Sequence, residues 1–119
     1  ICGANSYEWV LIEFACLFAG LTSVLLSETW DVATLTAVAK QARVNCIAAD
    51  REASSKVFEA LRACLEPRLA VTMMDVPEHV SVPKPHVSLH ELLRMQPLKE
   101  VIVRDATAVH TIFHTSGTT

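Results

Sequence analysis

The residues of this chain best suited to chemistry are its last five, which carry four hydroxyl groups and one glycine. They are Thr115, Ser116, Gly117, Thr118 and Thr119. Hydroxyl groups, together with backbone N–H groups freed by a flexible glycine, can surround an anionic phosphate in a concave nest of donors. A Walker loop is excluded, because the chain has no Gly-x-x-x-x-Gly-Lys-Ser/Thr pattern and no lysine within reach. The run predicts a phosphate-binding segment of another kind, and a loose polar terminus is the alternative.

The histidines give weaker signals. His114 stands directly before the hydroxyl run, where it could lie beside a bound nucleotide, although a structural role on one strand face with His110 is the alternative. His86 and His90 are four residues apart, a spacing that suits two metal ligands on a helix. A capping box places His86 outside that helix, and no third ligand of a suitable type is nearby. No metal ligand is therefore predicted.

The cysteines form no recognisable framework. Cys2, Cys16, Cys46 and Cys64 are far apart in sequence, without a Cys-x-x-Cys pair, so neither a zinc site nor a disulfide scaffold is indicated. Each stands in an apolar neighbourhood. We expect four small buried hydrophobic residues in a reducing, intracellular compartment.

Composition excludes several classes of protein. The 119 residues are 51% hydrophobic with a net charge of −3, and the charges of both signs are scattered, which gives no basic surface for nucleic acid. The most apolar run, residues 14–26, has 13 residues without a charge and is too short to cross a bilayer, which takes ~20 residues. No signal peptide is visible at the start of the chain. A soluble α/β protein is expected.

Strands and helices alternate along the chain. Strands are predicted at the start of the chain and at residues 21–26, 44–49, 69–74 and 109–115. Helices are predicted between Asn5 and Gly20, after Asp31, over 52–65 and after Ser88. Residues 76–87 form a loop, and 101–103 are a short strand or an extended link. This order predicts an α/β fold, a parallel sheet with helices on both faces. A Rossmann dinucleotide site is not supported, because no Gly-x-Gly-x-x-Gly follows the first strand.

The first helix is apolar on nearly every face. Asn5 and Glu8 are predicted to form its capping box, and Gly20 suits the position that ends it. Such a helix must be covered on most sides. Its interior charge, Glu13, lies either on a thin exposed edge or in a pair, and we favour the exposed edge.

Thr-Ser-Gly-Thr-Thr directly after a strand resembles the phosphate-binding motif of the adenylate-forming superfamily, which usually continues Gly-x-Pro-Lys-Gly. Residues 3–10, then 13–16 and Gly20, look like the Gly-x-x-x-Asn-Ser-x-Glu-Trp segment and following helix of long-chain acyl-CoA synthetases. Residues 24–26 take the place of that family's Val-Pro-Leu, and the helix at 89–93 resembles one found before its phosphate loop. His114 stands where the family often has tyrosine.

The resemblance implies a parent enzyme that activates a fatty acid. Such an enzyme uses ATP and Mg²⁺ to form an acyl-adenylate and pyrophosphate, and then transfers the acyl group to the thiol of coenzyme A. Residues 115–119 would hold the ATP phosphates, and no catalytic residue is assigned. Residues 1–119 would be a partial N-terminal AMP-binding domain, truncated within the phosphate-binding motif. We expect this part alone to be inactive.

Other functions stay open from the sequence. The parent could be an aryl-CoA ligase or a peptide-synthetase adenylation domain. The chain could also be a non-catalytic α/β module, or a free-standing phosphate-binding domain. The expected partners are a fatty acid, ATP, coenzyme A and the remainder of the parent chain, without nucleic acid or a transmembrane segment. Peripheral association of the parent with a membrane stays open.

Overall fold

The computed structural model describes residues 1–64, 70–82 and 84–114. The predicted phosphate-binding residues 115–119 lie outside this part of the chain. The helices are α1 Tyr7–Phe18, α2 Val32–Gln41, α3 Arg51–Cys64 and α4 Leu89–Leu93. The strands are β1 Ser23–Val24, β2 Cys46–Ala49, β3 Ala70–Met73, β4 Val87–Ser88 and β5 Thr111–Ile112.

All strand pairings in the described residues are parallel. β1 pairs with β5, and β2, β3 and β4 are neighbours in that order. Cys2 joins the two groups, since it forms parallel bridges with both Leu26 and Ala49. Its N–H donates to the Ala48 carbonyl at 2.8 Å, and the Leu26 N–H donates to the Ile1 carbonyl at 2.8 Å. The spatial order is therefore β5, β1, Cys2, β2, β3, β4.

Helices cover both faces of this sheet, as predicted. Side chains at successive strand positions point to opposite faces, and the buried residues follow that alternation. One face carries Cys2, Val24 and Ile47 and packs against α2 and α3, whose Leu35 and Val57 are almost fully buried. The other face carries Ile1, Ala48 and Met74 and packs against α1. The α/β prediction is confirmed.

Helix caps explain where most helices begin. Ser6, not Asn5, is the N-cap of α1: its backbone is extended, and its Oγ accepts a hydrogen bond from the Trp9 N–H at 3.1 Å. The predicted Asn5 cap is wrong by one residue, since the cap must have an extended backbone directly before the first turn. The Asp31 cap of α2 and the Ser88–Glu91 capping box of α4 are confirmed.

The caps of α2 and α4 depend on ionised carboxylates. Hydrogen bonds from Thr34 hold the pKa of Asp31 below its usual value, and those from Ser88 do the same for Glu91. A carboxyl whose pKa falls on folding stabilises the folded state above its unfolded pKa, and that contribution is lost as the pH falls through the folded value. Both caps therefore weaken in acid.

Gly20 ends α1 and brings a distant segment against it. Its φ of +64° is the left-handed conformation that glycine adopts without strain. A Cβ at this position would lie 2.7 Å from Ile102 Cγ2. The Ile102 N–H donates to the Phe18 carbonyl at 2.9 Å. Residues 101–103 are thus an extended link held by the end of α1, not a strand, whereas the strand β4 lies at the end of what was predicted as a loop.

The outer face of α1 is exposed in the described part of the chain. Val10, Phe14, Leu17 and Phe18 are all exposed, and the two phenylalanine rings stack with centroids 6.3 Å apart. The prediction that α1 is covered on most sides is therefore wrong for this structure. No helix among the described residues has both the length and the apolar character needed to cross a bilayer.

The cysteines do not share one environment. Cys2 is fully buried in the central strand position, and desolvation raises the pKa of its thiol to about 11. Cys16 is half-buried, and Cys46 is exposed at the start of β2. The prediction of four buried cysteines is confirmed for Cys2, met only in part by Cys16 and wrong for Cys46, because the first residue of a strand can lie outside the sheet's covered area. The side chain of Cys64 lies outside the described part.

Candidate functional site

The carboxyl ends of the parallel strands meet at one edge of the sheet. In open α/β sheets, ligands bind outside this edge, at the point where the strand order reverses. Here the order reverses at Cys2: the chain runs through α1 to β1 on one side and through α2 to β2 on the other. The carboxyl edge is formed by residues 3–4, 27–30, Asp50, Asp75 and 113–114.

Asp50 organises the centre of this edge. Its Oδ2 accepts a hydrogen bond from the Ala4 N–H at 2.8 Å, and its Oδ1 accepts one from the Ala53 N–H at 2.8 Å. A Cβ at Gly3 would lie 2.6 Å from Asp50 Oδ2 and 2.9 Å from Met74 Cε, so a larger residue there would displace these two side chains. Asp50 thus caps α3 and fixes the turn that follows the central strand position.

The carboxylates of Asp50 and Asp75 at this edge already accept hydrogen bonds from backbone N–H groups of the protein. Besides the two bonds to Asp50, Asp75 Oδ1 accepts a hydrogen bond from the Arg51 N–H at 2.6 Å. No group of three or more histidine, cysteine, aspartate or glutamate side chains is arranged to hold a metal ion within residues 1–64, 70–82 and 84–114. The side chains of the described residues therefore do not form a metal site with three or more protein ligands.

His114 lies at the same edge, against a tryptophan. Its ring meets Trp30 edge to face, with centroids 5.4 Å apart and planes at 88°. Trp30 belongs to the loop after β1, and Lys56 Nζ holds that loop by donating to the Glu28 carbonyl at 2.9 Å. Of the six residues predicted for nucleotide binding, His114 alone falls in the described part of the chain. The aromatic contact with Trp30 was not predicted.

A partly buried polar cluster ties α1 to the strand that precedes His114. Glu13 Oε1 accepts hydrogen bonds from Ser23 Oγ at 2.9 Å and Thr111 Oγ1 at 2.8 Å, with His110 Nε2 at 3.9 Å. Glu13 Oε2 is buried without a hydrogen-bond partner. The predicted exposed edge for Glu13 is wrong, since its side chain is only 19% exposed. The sequence signal that could have indicated a partner for Glu13 was the presence of hydroxyl residues, Ser23 and Thr111, at inward positions of two apolar strands.

An apolar cavity of about 700 Å³ lies beneath α1, away from this edge. Its walls come from α1, from the amino-terminal ends of β1 and β2, and from Leu89, Leu92 and Leu98. The cavity therefore opens at the opposite end of the strands from His114, and its lining offers few donors for an anion.

The family of the chain follows from comparison with known proteins. Residues 1–119 match the sequence pattern of a family described as AMP-binding enzyme. The chain belongs to the AMP-binding enzyme family. Enzymes of this family use ATP, typically with Mg²⁺. The resemblance to adenylate-forming enzymes is thereby confirmed at the level of the family.

A solved structure supports the fold. The chain is similar to the luciferase-like enzyme from the nonluminescent Zophobas morio mealworm, with a TM-score of 0.77 and 18% sequence identity over 99% of this chain. The match covers 27% of that enzyme's chain. At this identity the likeness concerns the AMP-binding fold alone. A comparison with curated protein sequences finds no match.

Proposed function

We propose that this chain is the first part of the AMP-binding domain of an acyl-CoA synthetase that activates a long-chain fatty acid. On this proposal the domain continues beyond Thr119, and residues 1–119 stop within the phosphate-binding motif. The observation that carries it is the position of β5 in an AMP-binding fold. This strand runs parallel to β1 and reaches the carboxyl edge at His114, directly before Thr-Ser-Gly-Thr-Thr in sequence.

The proposed reaction has two steps. The fatty-acid carboxylate attacks the α-phosphorus of ATP, the bond to the β-phosphate oxygen breaks, and pyrophosphate leaves. The thiolate of coenzyme A then attacks the acyl carbonyl, and AMP leaves with the electrons of the acyl–oxygen bond. The first step brings two anions together, so it depends on positioning and charge stabilisation more than on a protein nucleophile.

The chain's own contribution is to hold the phosphates. The hydroxyl groups of Thr115, Ser116, Thr118 and Thr119 and the N–H of Gly117 would donate hydrogen bonds to phosphate oxygens. His114 would lie beside the nucleotide, with its ring held by Trp30. Magnesium, when bound, supplies further neutralisation of the phosphate charge.

The fatty-acid substrate is supported by the sequence around α1. Residues 3–10 and 13–16 resemble the corresponding segment of long-chain acyl-CoA synthetases. The partners on this proposal are a fatty acid, ATP, coenzyme A and the remainder of the enzyme. We place the enzyme inside the cell in a reducing compartment, as the lack of a cysteine framework favours.

Acid-dependent exchange of pyrophosphate into ATP tests this function. The protein encoded by the complete reading frame would be incubated with ATP, labelled pyrophosphate and one acid at a time: palmitate, benzoate or a mixture of amino acids. We expect exchange with palmitate, because formation of the acyl-adenylate is reversible.

The other acids separate the alternatives. Exchange with benzoate alone would indicate an aryl-CoA ligase, and exchange with amino acids alone would indicate a peptide-synthetase adenylation domain. Absence of exchange with every acid would contradict an adenylate-forming function and favour a non-catalytic module.

A further inference from the structure

The strand that leads to His114 is short and has one neighbour. β5 contains two residues and pairs only with β1 among the described strands. Backbone hydrogen bonds at the two ends of this pairing run from the Ser23 N–H to the His110 carbonyl at 2.9 Å and from the Leu25 N–H to the Ile112 carbonyl at 3.1 Å. A parallel pair this short specifies its register weakly by backbone bonding alone.

Glu13 adds a side-chain determinant of that register. Ser23 and Thr111 are direct partners across the two strands, and both hydroxyl groups lie within hydrogen-bond distance of the same oxygen, Glu13 Oε1. Shifting β5 by one residue would bring His110 or Ile112 to the place of Thr111 and turn its side chains to the other face. Neither side chain carries the hydroxyl group that donates to Glu13 Oε1 in the observed register.

A shift would take one of the two direct donors from a carboxylate that is only 19% exposed. Glu13 Oε2 already lacks a hydrogen-bond partner, and a shift of β5 would remove the Thr111 donor, which leaves Ser23 Oγ as the direct donor to Oε1 and His110 Nε2 at 3.9 Å. Buried charged groups without hydrogen bonds are strongly unfavourable. Among these registers, the observed one alone places a hydroxyl donor from β5 beside the Ser23 donor from β1.

We propose that Glu13 is a positioning residue for ATP binding, acting through Thr111. Its carboxylate fixes where β5 ends, and so where the chain leaves the sheet at Phe113 and His114 toward the phosphate-binding residues. This inference rests on the proposed function, since it assigns the anchor of that phosphate site to a helix residue outside it. Glu13 itself does not touch the nucleotide.

The test compares substitutions in the protein encoded by the complete reading frame. Thr111→Val and Glu13→Ala each remove the hydrogen bond, whereas Thr111→Ser keeps the hydroxyl group. Thr36→Val is the matched control, because the Thr36 hydroxyl donates to the Val32 carbonyl at 2.6 Å within α2, away from β5.

Two measurements are made on each variant. The first is hydrogen exchange of the Leu25 amide, which reports the β1–β5 pairing, with the Met74 amide, bonded to the Ala49 carbonyl at 2.9 Å, as the internal reference. We expect Thr111→Val and Glu13→Ala to speed exchange at Leu25 about tenfold and to leave Met74 unchanged.

The second measurement is the KM for ATP. In both variants we expect it to rise about fivefold, while the KM for the acid stays within about twofold of the wild-type value. Thr111→Ser should restore both values, and Thr36→Val should change neither.

The outcomes separate this proposal from the proposed function. Unchanged exchange at Leu25 in both variants would overturn the register role of Glu13. Faster exchange at Leu25 with an unchanged KM for ATP would overturn the positioning role and leave a purely structural cluster. If the wild-type enzyme shows no ATP-dependent activity, the proposed function fails and the positioning role falls with it, whatever the exchange rates.

Discussion

Replacing Leu35 with alanine is expected to lower the free energy of unfolding of this chain by about 3 kcal/mol. Leu35 is 2% exposed and lies where α2 packs on the sheet, in the cluster that includes Val24, Ile47 and Val57. Removing the side chain deletes buried methyl and methylene groups and leaves a cavity that the parallel strands cannot close, because their backbone bonds hold them apart. Urea unfolding, followed by circular dichroism, measures the change.

Leu93→Ala in α4 is the matched control. The same atoms are removed, but Leu93 is 61% exposed. We expect a change below about 0.5 kcal/mol. Equal losses in the two variants would mean that α2 does not form the core contact described here.

Replacing Asp50 with alanine is expected to cost about 2–3 kcal/mol, more than loss of an ordinary helix cap. The substitution removes the acceptor for the Ala53 N–H at the start of α3 and, at the same time, the acceptor for the Ala4 N–H after the central strand position. Both N–H groups lose a charged partner at the sheet edge. Thermal unfolding compared with the wild-type chain measures the effect.

Asp31→Ala is the comparison variant for the loss of stability expected in Asp50→Ala. Asp31 also caps a helix, accepting from the Thr34 N–H at 2.7 Å, but among its described hydrogen bonds none reaches a distant segment. We expect this variant to lose about 1 kcal/mol. A loss at Asp50 no larger than the loss at Asp31 would show that the bond to Ala4 contributes nothing to stability.

The fold could be predicted because its signals are local. Side chains that can cap a helix indicate where α2 and α4 begin, namely Asp31, Ser88 and Glu91. Gly20 indicates where α1 ends, because glycine adopts the left-handed conformation without strain. Short apolar runs between those helices predict a parallel sheet covered on both faces. The N-cap of α1 was misplaced by one residue, because Asn5 and Ser6 are both good capping residues and only the backbone decides between them.

Much of the candidate site could not be predicted, because it depends on contacts between distant segments. Glu13 meets Thr111 across 98 positions of sequence, so its burial follows from where β5 docks, not from the helix that carries it. The contact between Trp30 and His114 has the same origin. β4 was missed because two residues among prolines carry too little pattern to indicate a strand.

The apolar surface of α1 is a second case in which the sequence does not show which distant segment an element contacts. The periodicity of its sequence indicates a helix that needs covering, but it does not say which segment covers it. In the described residues, only the side that carries Trp9 and Ile12 packs on the sheet. The outer side, with Phe14 and Phe18, stays exposed.

On the proposed function, the chain binds ATP phosphates at the end of β5, and one titration tests this binding most directly. ATP binding would be measured calorimetrically with the protein encoded by the complete reading frame and with its Thr118→Ala/Thr119→Ala variant. Thr107→Ala is the control, since its exposed hydroxyl bonds only to Asp105 among the described contacts. We predict that the double variant weakens ATP binding at least about tenfold, as the loss of two hydrogen bonds to a charged ligand requires. Equal affinity in the double variant and the control would contradict the account.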